Sequence, residues 1–175
     1  DNKLPINHNY LKEQFSESEE ILLDIKKLIQ RTDYTLGKAV NDVENNFRKL
    51  TNCKYAVGVG SGTDAILLSL KAIGIKYGDE VITSPYTFYA TVGAIVSVGA
   101  KPVFVDISDD YNIDVDKIEK AITTNTKAII PVHWSGLLCD MVKISDIAKK
   151  HNIHIIEDAC HAINADRDGN KAGAY

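Results

Sequence analysis

From Tyr55 onward, short apolar runs alternate with segments of helical spacing, and this alternation constrains the fold more than any other feature of the 175-residue chain. Tyr55–Gly60 is predicted as a strand and Thr63–Ile73 as a helix carrying Ile66, Leu67, Leu70 and Ile73. Glu80–Ser84 reads as a strand, Tyr89–Val98 as a helix of small and apolar residues, and Lys101–Asp106 as a strand ended by Asp106. A short helix over Asp114–Ile122, a strand over Lys127–His133, a helix over Val142–His151 and a strand over Ile153–Asp158 complete the series. Strands that are apolar without interruption are buried on both faces, so the expected fold is α/β, a mostly parallel sheet with helices on both faces. Parallel neighbours need right-handed crossovers, and ligands then gather beyond the carboxyl ends of the strands.

Two helical patterns come first. In Glu17–Arg31 the residues Ile21, Leu22, Ile25, Leu28 and Ile29 share one face, and in roughly Lys38–Leu50 Val40, Val43, Phe47 and Leu50 form a stripe. Both are predicted as surface helices that pack an apolar face. The chain therefore divides into an amino-terminal helical segment, residues 1–50, and a larger domain over 51–175. A net charge of −4 gives no reason to expect nucleic acid or an anionic membrane as partner. No apolar run approaches the roughly 20 residues that span a bilayer. Asp1–Tyr10 is polar and lacks the layout of a signal peptide. Cys53, Cys139 and Cys160 form no even-numbered disulfide framework, which favours a reducing cytoplasm. The absent initiator methionine implies processing or a segment of a longer chain.

Polar residues punctuate the expected strand ends. Gly58-Val59-Gly60-Ser61-Gly62-Thr63-Asp64 follows a strand and opens a helix. Glycines admit an anion close to the backbone, and free amides at a helix start point toward it. The Ser61 and Thr63 hydroxyls add donors for a phosphate oxygen, while a tight turn with a Ser or Thr helix cap explains the same residues. A dinucleotide fingerprint fails, because the third glycine is replaced by Thr63 and Asp79 and Glu80 begin the second strand instead of ending it. Phe88 and Tyr89, after Ser84-Pro85-Tyr86-Thr87, offer an aromatic face for a flat heterocycle or simple packing under the next helix.

Glu157-Asp158-Ala159-Cys160-His161-Ala162 follows an apolar strand directly. A carboxylate there stays ionised if it meets a buried cation, as an Asp does beneath the protonated pyridine nitrogen of pyridoxal phosphate (PLP). An Asp that caps the following segment is the alternative. His161 is placed to hydrogen-bond a polar ring substituent or to serve structure alone. His133, Cys139, Cys160 and His161 lack the paired spacing of zinc ligands, so no metal is expected. Cys160 and His161 are adjacent and point to opposite sides of an extended segment, and Ser135 lacks the flanking pattern of a nucleophile elbow.

Together these segments resemble the DegT/DnrJ/EryC1/StrS family of PLP-dependent sugar aminotransferases. The likeness rests on Gly58–Ala65, Gly78–Phe88, Gly99–Asp106, Pro131-Val132-His133 and Glu157–Ala162, which recur in family order between about Thr35 and Tyr175. It implies the large domain of a fold-type I PLP enzyme, truncated, with a small carboxy-terminal domain not included. By the same resemblance Gly62 and Thr63 hold the cofactor phosphate, with Ser61 as a weaker candidate, and Phe88 stacks on the ring. Asp158 pairs with the pyridine nitrogen, and His161 takes the place of a Gln or His near the ring oxygen; His133 lies at the mouth with no assigned role. The family's Schiff-base lysine is expected beyond Tyr175, since Lys171 in Asp168-Gly169-Asn170-Lys171 does not match its segment. No catalytic residue is therefore assigned within the chain, and residues 1–175 alone are expected not to transaminate. The implied parent takes an amino group, from glutamate by expectation, to a keto carbon of a nucleotide-linked sugar and works as a homodimer. The alternatives are a sugar 3-dehydratase of the same family and a non-catalytic cofactor-binding or regulatory module.

Overall fold

The computed structural model describes residues 9–175, which fall into two compact units, one ending at Val43 and the other running from Glu44 to Tyr175. The first holds α1 (Leu11–Gln14) and α2 (Glu19–Arg31), and α3 (Lys38–Thr51) runs across the division. Each of the two longer helices has an apolar stripe, as expected, but neither stripe is packed. Ile21, Leu22, Ile25, Ile29, Val43 and Phe47 are exposed, and neither α2 nor α3 contains a buried residue. Helical periodicity fixes which side chains share a face, whereas covering that face needs a second surface, and the described residues provide none for these stripes.

In the second unit β1 (Glu80–Thr83), β2 (Lys101–Phe104), β3 (Thr126–Ile130) and β4 (His154–Ile155) form one parallel sheet in the order β2-β1-β3-β4. Pleating sends successive side chains to opposite faces. Val81, Ala128 and Ile130 join Ile66 and Leu70 of α4 (Gly62–Ala72) and Ala94 and Ile95 of α5 (Tyr89–Ser97) in one core. On the other face, Ile82 and Ile129 meet Ile118 of α6 (Val115–Ala121) and Met141, Ile144 and Ala148 of α7 (Met141–His151). The expected two-faced α/β arrangement is present. Side-chain caps start three of these helices: Ser61 accepts from the Asp64 amide, Asp114 from Asp116 and Asp140 from Lys143.

The order of the strands places the site. From β1 the chain crosses through α5 to β2 on one side, then returns through α6 to β3 on the other side of β1. Crossovers of one hand that move in opposite directions must use opposite faces, which is why α5 and α6 belong to different cores. The carboxyl ends of β1 and β3 thus flank a topological switch point, where a crevice opens.

Four expectations need correction. Tyr55–Gly60 forms no strand and pairs with none among the described residues, and Tyr55 and Val57 are exposed. A strand exists by its neighbour, and here the Gly58 amide donates instead to the Glu44 carboxylate at 2.7 Å. The strands predicted over Lys101–Asp106 and Lys127–His133 end earlier, at Phe104 and Ile130. The strand over Ile153–Asp158 shrinks to His154–Ile155, with one further bridge between Val132 and Asp158. Beyond these four strands, the stretch around Lys171 is a hairpin of β5 (Asp166–Arg167) and β6 (Asn170–Lys171). Asp168 and Gly169 at its tip have φ of 55° and 82°, the left-handed pair that a tight two-residue turn requires.

Candidate functional site

A cavity of about 210 Å³ lies at the switch point. Its lining brings together Gly62, Thr63, Phe88, Asp158 and His161, contributed by the start of α4, the entry to α5 and the segment after β4. Five of the six expected cofactor-binding residues therefore converge from positions spread over roughly a hundred residues of sequence. Ser61, the sixth, is not among the lining residues. Its hydroxyl accepts from the Asp64 amide at 3.1 Å and donates to the Asp64 carboxylate at 3.0 Å, so it acts as the cap of α4.

With Asp64 and Ala65 bonded back to Ser61, the amides of Gly62 and Thr63 have no partner among the described residues. They form the free start of an eleven-residue helix, where the backbone dipoles favour an anion. A Cβ built on Gly62 would lie 3.2 Å from the Cys160 sulfur, so the helix start stands close against the Cys160 side chain.

Asp158 is only 8% exposed. One carboxylate oxygen accepts from the Thr91 hydroxyl at 2.7 Å, and the other from the Cys160 amide at 3.4 Å. Both donors are neutral, and no lysine, arginine or histidine among the described residues pairs with it. A buried carboxylate without a counter-charge is costly unless a cation joins it. The donor set thus fits a cofactor that carries a phosphate at one end and a protonated ring nitrogen at the other.

The aromatic groups complete the walls. Phe88 stands at the N-terminal end of α5, exposed, with its ring centroid 4.7 Å from that of Tyr89. His161 meets the edge of Trp134 at 5.2 Å, and Trp134 packs on Tyr86 at 4.5 Å. Trp134 is held by a backbone bond to the buried side chain of Asn112 at 3.0 Å. Sequence reasoning left Trp134, Thr87 and Thr91 without a role here. Thr87 and Thr91 carry a signal in hindsight, two hydroxyls four residues apart, one just before α5 and one in its first turn.

His133 does not line the cavity. It is fully buried, accepts the Cys139 amide on Nδ1 at 3.2 Å and meets Glu157 through Nε2 at 2.8 Å. The two neighbours Glu157 and Asp158 therefore face opposite ways, one into the protein and one into the cavity. Burial pushes the Cys139 thiol up to about 12. Desolvation, helped by the hydrogen bond and charge of Asp158, pushes Cys160 up to about 11. Neither thiol is poised as a nucleophile near neutral pH. Among the described residues no lysine lines the cavity, and Lys171 is engaged with Asp166 at 3.2 Å in the hairpin. No group of side chains there is arranged to hold a metal ion, and no helix is long and apolar enough to cross a membrane.

Comparison with known proteins gives the same architecture and cavity a context. The family described as DegT/DnrJ/EryC1/StrS aminotransferases matches residues 16–175. A UDP-N-acetyl-3-dehydro-alpha-D-glucosamine 3-aminotransferase of Acidithiobacillus ferrooxidans is 44% identical over 158 residues, 90% of this chain and 43% of that protein. A dTDP-3-amino-3,4,6-trideoxy-alpha-D-glucose transaminase of Micromonospora megalomicea subsp. nigra is 39% identical over 94% of this chain and 44% of its own. The chain thus spans less than half the length of these relatives. The solved structure of S. venezuelae DesV superposes with a TM-score of 0.91 at 37% identity, over 95% of this chain and 45% of that one. NtdA from Bacillus subtilis with bound cofactor PMP gives 0.85 at 38%, over 90% and 36%. A GDP-4-keto-6-deoxymannose-3-dehydratase gives 0.80 at 31%, over 85% and 40%.

Proposed function

Because the chain belongs to the DegT/DnrJ/EryC1/StrS aminotransferase family, we propose that it forms the cofactor-binding part of a PLP-dependent sugar aminotransferase. In this reading the whole enzyme carries an amino group from glutamate to a keto carbon of a nucleotide-linked sugar. The observation that carries it is Asp158, a buried carboxylate at the switch-point cavity whose protein partners are all neutral. The start of α4 lies on the same cavity with two free amides.

Each residue then has a task. The Gly62 and Thr63 amides and the Thr63 hydroxyl hold the phosphate. The Ser61 hydroxyl serves that end indirectly, by capping the helix. Phe88 covers a ring face, Asp158 keeps the ring nitrogen protonated, and His161 stands near the ring oxygen. Bound there, PLP supplies the electron sink that stores the amino group between donor and acceptor. No lysine among the cavity's lining residues is available to link the cofactor, so the reading draws that amine, and the proton transfer at the substrate carbon, from elsewhere in the enzyme. We keep the division of the chain at residue 50, with 51–175 as the cofactor-binding domain. A homodimer belongs to the same reading, supported by the uncovered apolar stripes of α2 and α3. A reducing cytoplasm is supported by three free cysteines.

The test is made on the protein expressed from its complete reading frame, loaded with PLP and given glutamate and nucleotide-linked keto sugars. Formation of 2-oxoglutarate with an aminated sugar is the expected result, abolished by Asp158→Ala. Loss of a sugar hydroxyl without amination assigns the dehydratase reaction instead. Failure to bind PLP at all sinks both.

A further inference from the structure

We infer that Thr91 is the positioning residue of the cofactor site, and that a relay of two hydroxyls, Thr87 to Thr91, fixes the Asp158 carboxylate for the ring nitrogen. The inference rests on the cofactor reading above and assigns a residue that reading does not need.

Thr91 lies in the first turn of α5 and is completely buried. A buried hydroxyl is unfavourable unless it is hydrogen-bonded, and valine would fill the same volume without that requirement. The hydroxyl is therefore not explained by packing. Its two partners assign the direction of the chain. Asp158 Oδ2, at 2.7 Å, is a carboxylate oxygen and only accepts, so the single Thr91 proton points there. Thr91 Oγ1 is left as acceptor for the Thr87 hydroxyl at 2.8 Å. Hydrogen bonds in such a row polarise one another, and a bond to an ionised acceptor is stronger than one between neutral groups.

The consequence is one of orientation. A carboxylate held by one short bond to Oδ2 and a longer one from the Cys160 amide to Oδ1 has lost its freedom to rotate. Neither donor brings a charge, so the carboxylate remains available to a cation. The contact also ties two parts of the chain 67 residues apart, the helix beyond β1 and the segment beyond β4. Thr91 thus sets where the carboxylate stands relative to Phe88, three residues earlier at the entrance of the same helix.

The experiment uses the protein from its complete reading frame and pyridoxamine 5′-phosphate, which binds without a covalent link. Its dissociation constant and the absorption of the bound ring are measured for the parent, Thr91→Val, Thr91→Ser and Thr87→Val. Thr91→Val is expected to bind about tenfold more weakly, the weight of one hydrogen bond to a charged group, and to shift the ring absorption. Thr91→Ser restores the hydroxyl and should stay within about twofold of the parent. Thr87→Val, at a partly exposed position that tolerates change, should lose roughly twofold to threefold by weakening the relay. In an Asp158→Asn background the Thr91→Val change should have no further effect on affinity. Equal affinity and an unchanged spectrum for Thr91→Val overturn the inference while leaving the cofactor reading intact. A parent protein that does not bind pyridoxamine phosphate overturns the cofactor reading itself.

Discussion

His133 Nε2 lies 2.8 Å from Glu157 Oε2, and the two side chains are 0% and 5% exposed. The same carboxylate accepts the Gly173 amide at 2.9 Å and, on its other oxygen, the Tyr175 amide at 2.8 Å. His133 accepts the Cys139 amide on Nδ1, so its proton sits on Nε2 and is given to Glu157. Glu157 thus gathers three donors from two separate segments. This locks the segment carrying Asp158 against both the end of β3 and the chain beyond the hairpin.

The lock predicts a large loss on removal of either half. His133→Ala should destabilise the protein by about 3 kcal/mol in urea unfolding, the range seen when a buried pair loses one partner. Glu157→Gln should cost about 2 kcal/mol, because the amide –NH2 must face a donor in either orientation. A Glu157→Gln protein as stable as the parent would contradict the assigned proton positions.

Stability should fall on acidification through Glu80. The Thr123 hydroxyl at 2.6 Å and Lys101 at 3.2 Å hold its carboxyl below the ordinary value of 4.5. A carboxyl depressed by folding contributes stability above its unfolded value, and that contribution is lost as pH falls through the lower folded value. Unfolding curves measured from pH 7 down past 4 should therefore converge for the parent and Glu80→Gln at the acid end. Parallel curves at all pH values would remove Glu80 from the account.

Cys160 should be slow to alkylate although it is exposed. With its thiol raised from 9.0 to about 11, the thiolate fraction at pH 8 is about a hundredfold below that of an unperturbed thiol. Mass spectrometry after timed iodoacetamide treatment reads this directly. Removing the negative charge by Asp158→Asn should accelerate the reaction, since the charge of Asp158 contributes to the shift.

Gly62→Ala separates binding from folding. The added methyl meets the Cys160 sulfur at 3.2 Å, a contact a side-chain shift relieves, so the melting temperature should change little. The methyl also occupies the approach to the two free amides. Affinity for pyridoxamine phosphate should drop by about tenfold or more while affinity for pyridoxamine without phosphate stays constant. An equal loss for both ligands would place the phosphate elsewhere.

Much of the fold and most of the cavity lining are legible in the sequence. Apolar runs such as Val81-Ile82 and Ala128-Ile129-Ile130 announce a sheet covered on both faces, and Ser61 announces the helix that follows it. These are local signals, set by the period of the backbone and by the unmet amides of a helix start. The polar residues after β1 and β4 then mark Phe88, Asp158 and His161, because a parallel sheet sends all its carboxyl ends to one edge, and the Gly-rich start of α4 marks Gly62 and Thr63. The same reasoning misplaces Tyr55–Gly60, since a strand is a relation between two segments and only one is present locally.

What the sequence by itself determined is the periodicity, the caps and the chemical type of each strand end. Which ends become neighbours was decided by the order β2-β1-β3-β4, the result of reversing the crossover direction after β2. That reversal brings Thr91 to Asp158 across 67 residues, His133 to Glu157 across 24, and Gly62 against Cys160. No local pattern encodes such contacts. They follow from how the two faces of the sheet are filled, because burial is a property of packed surfaces and not of single segments.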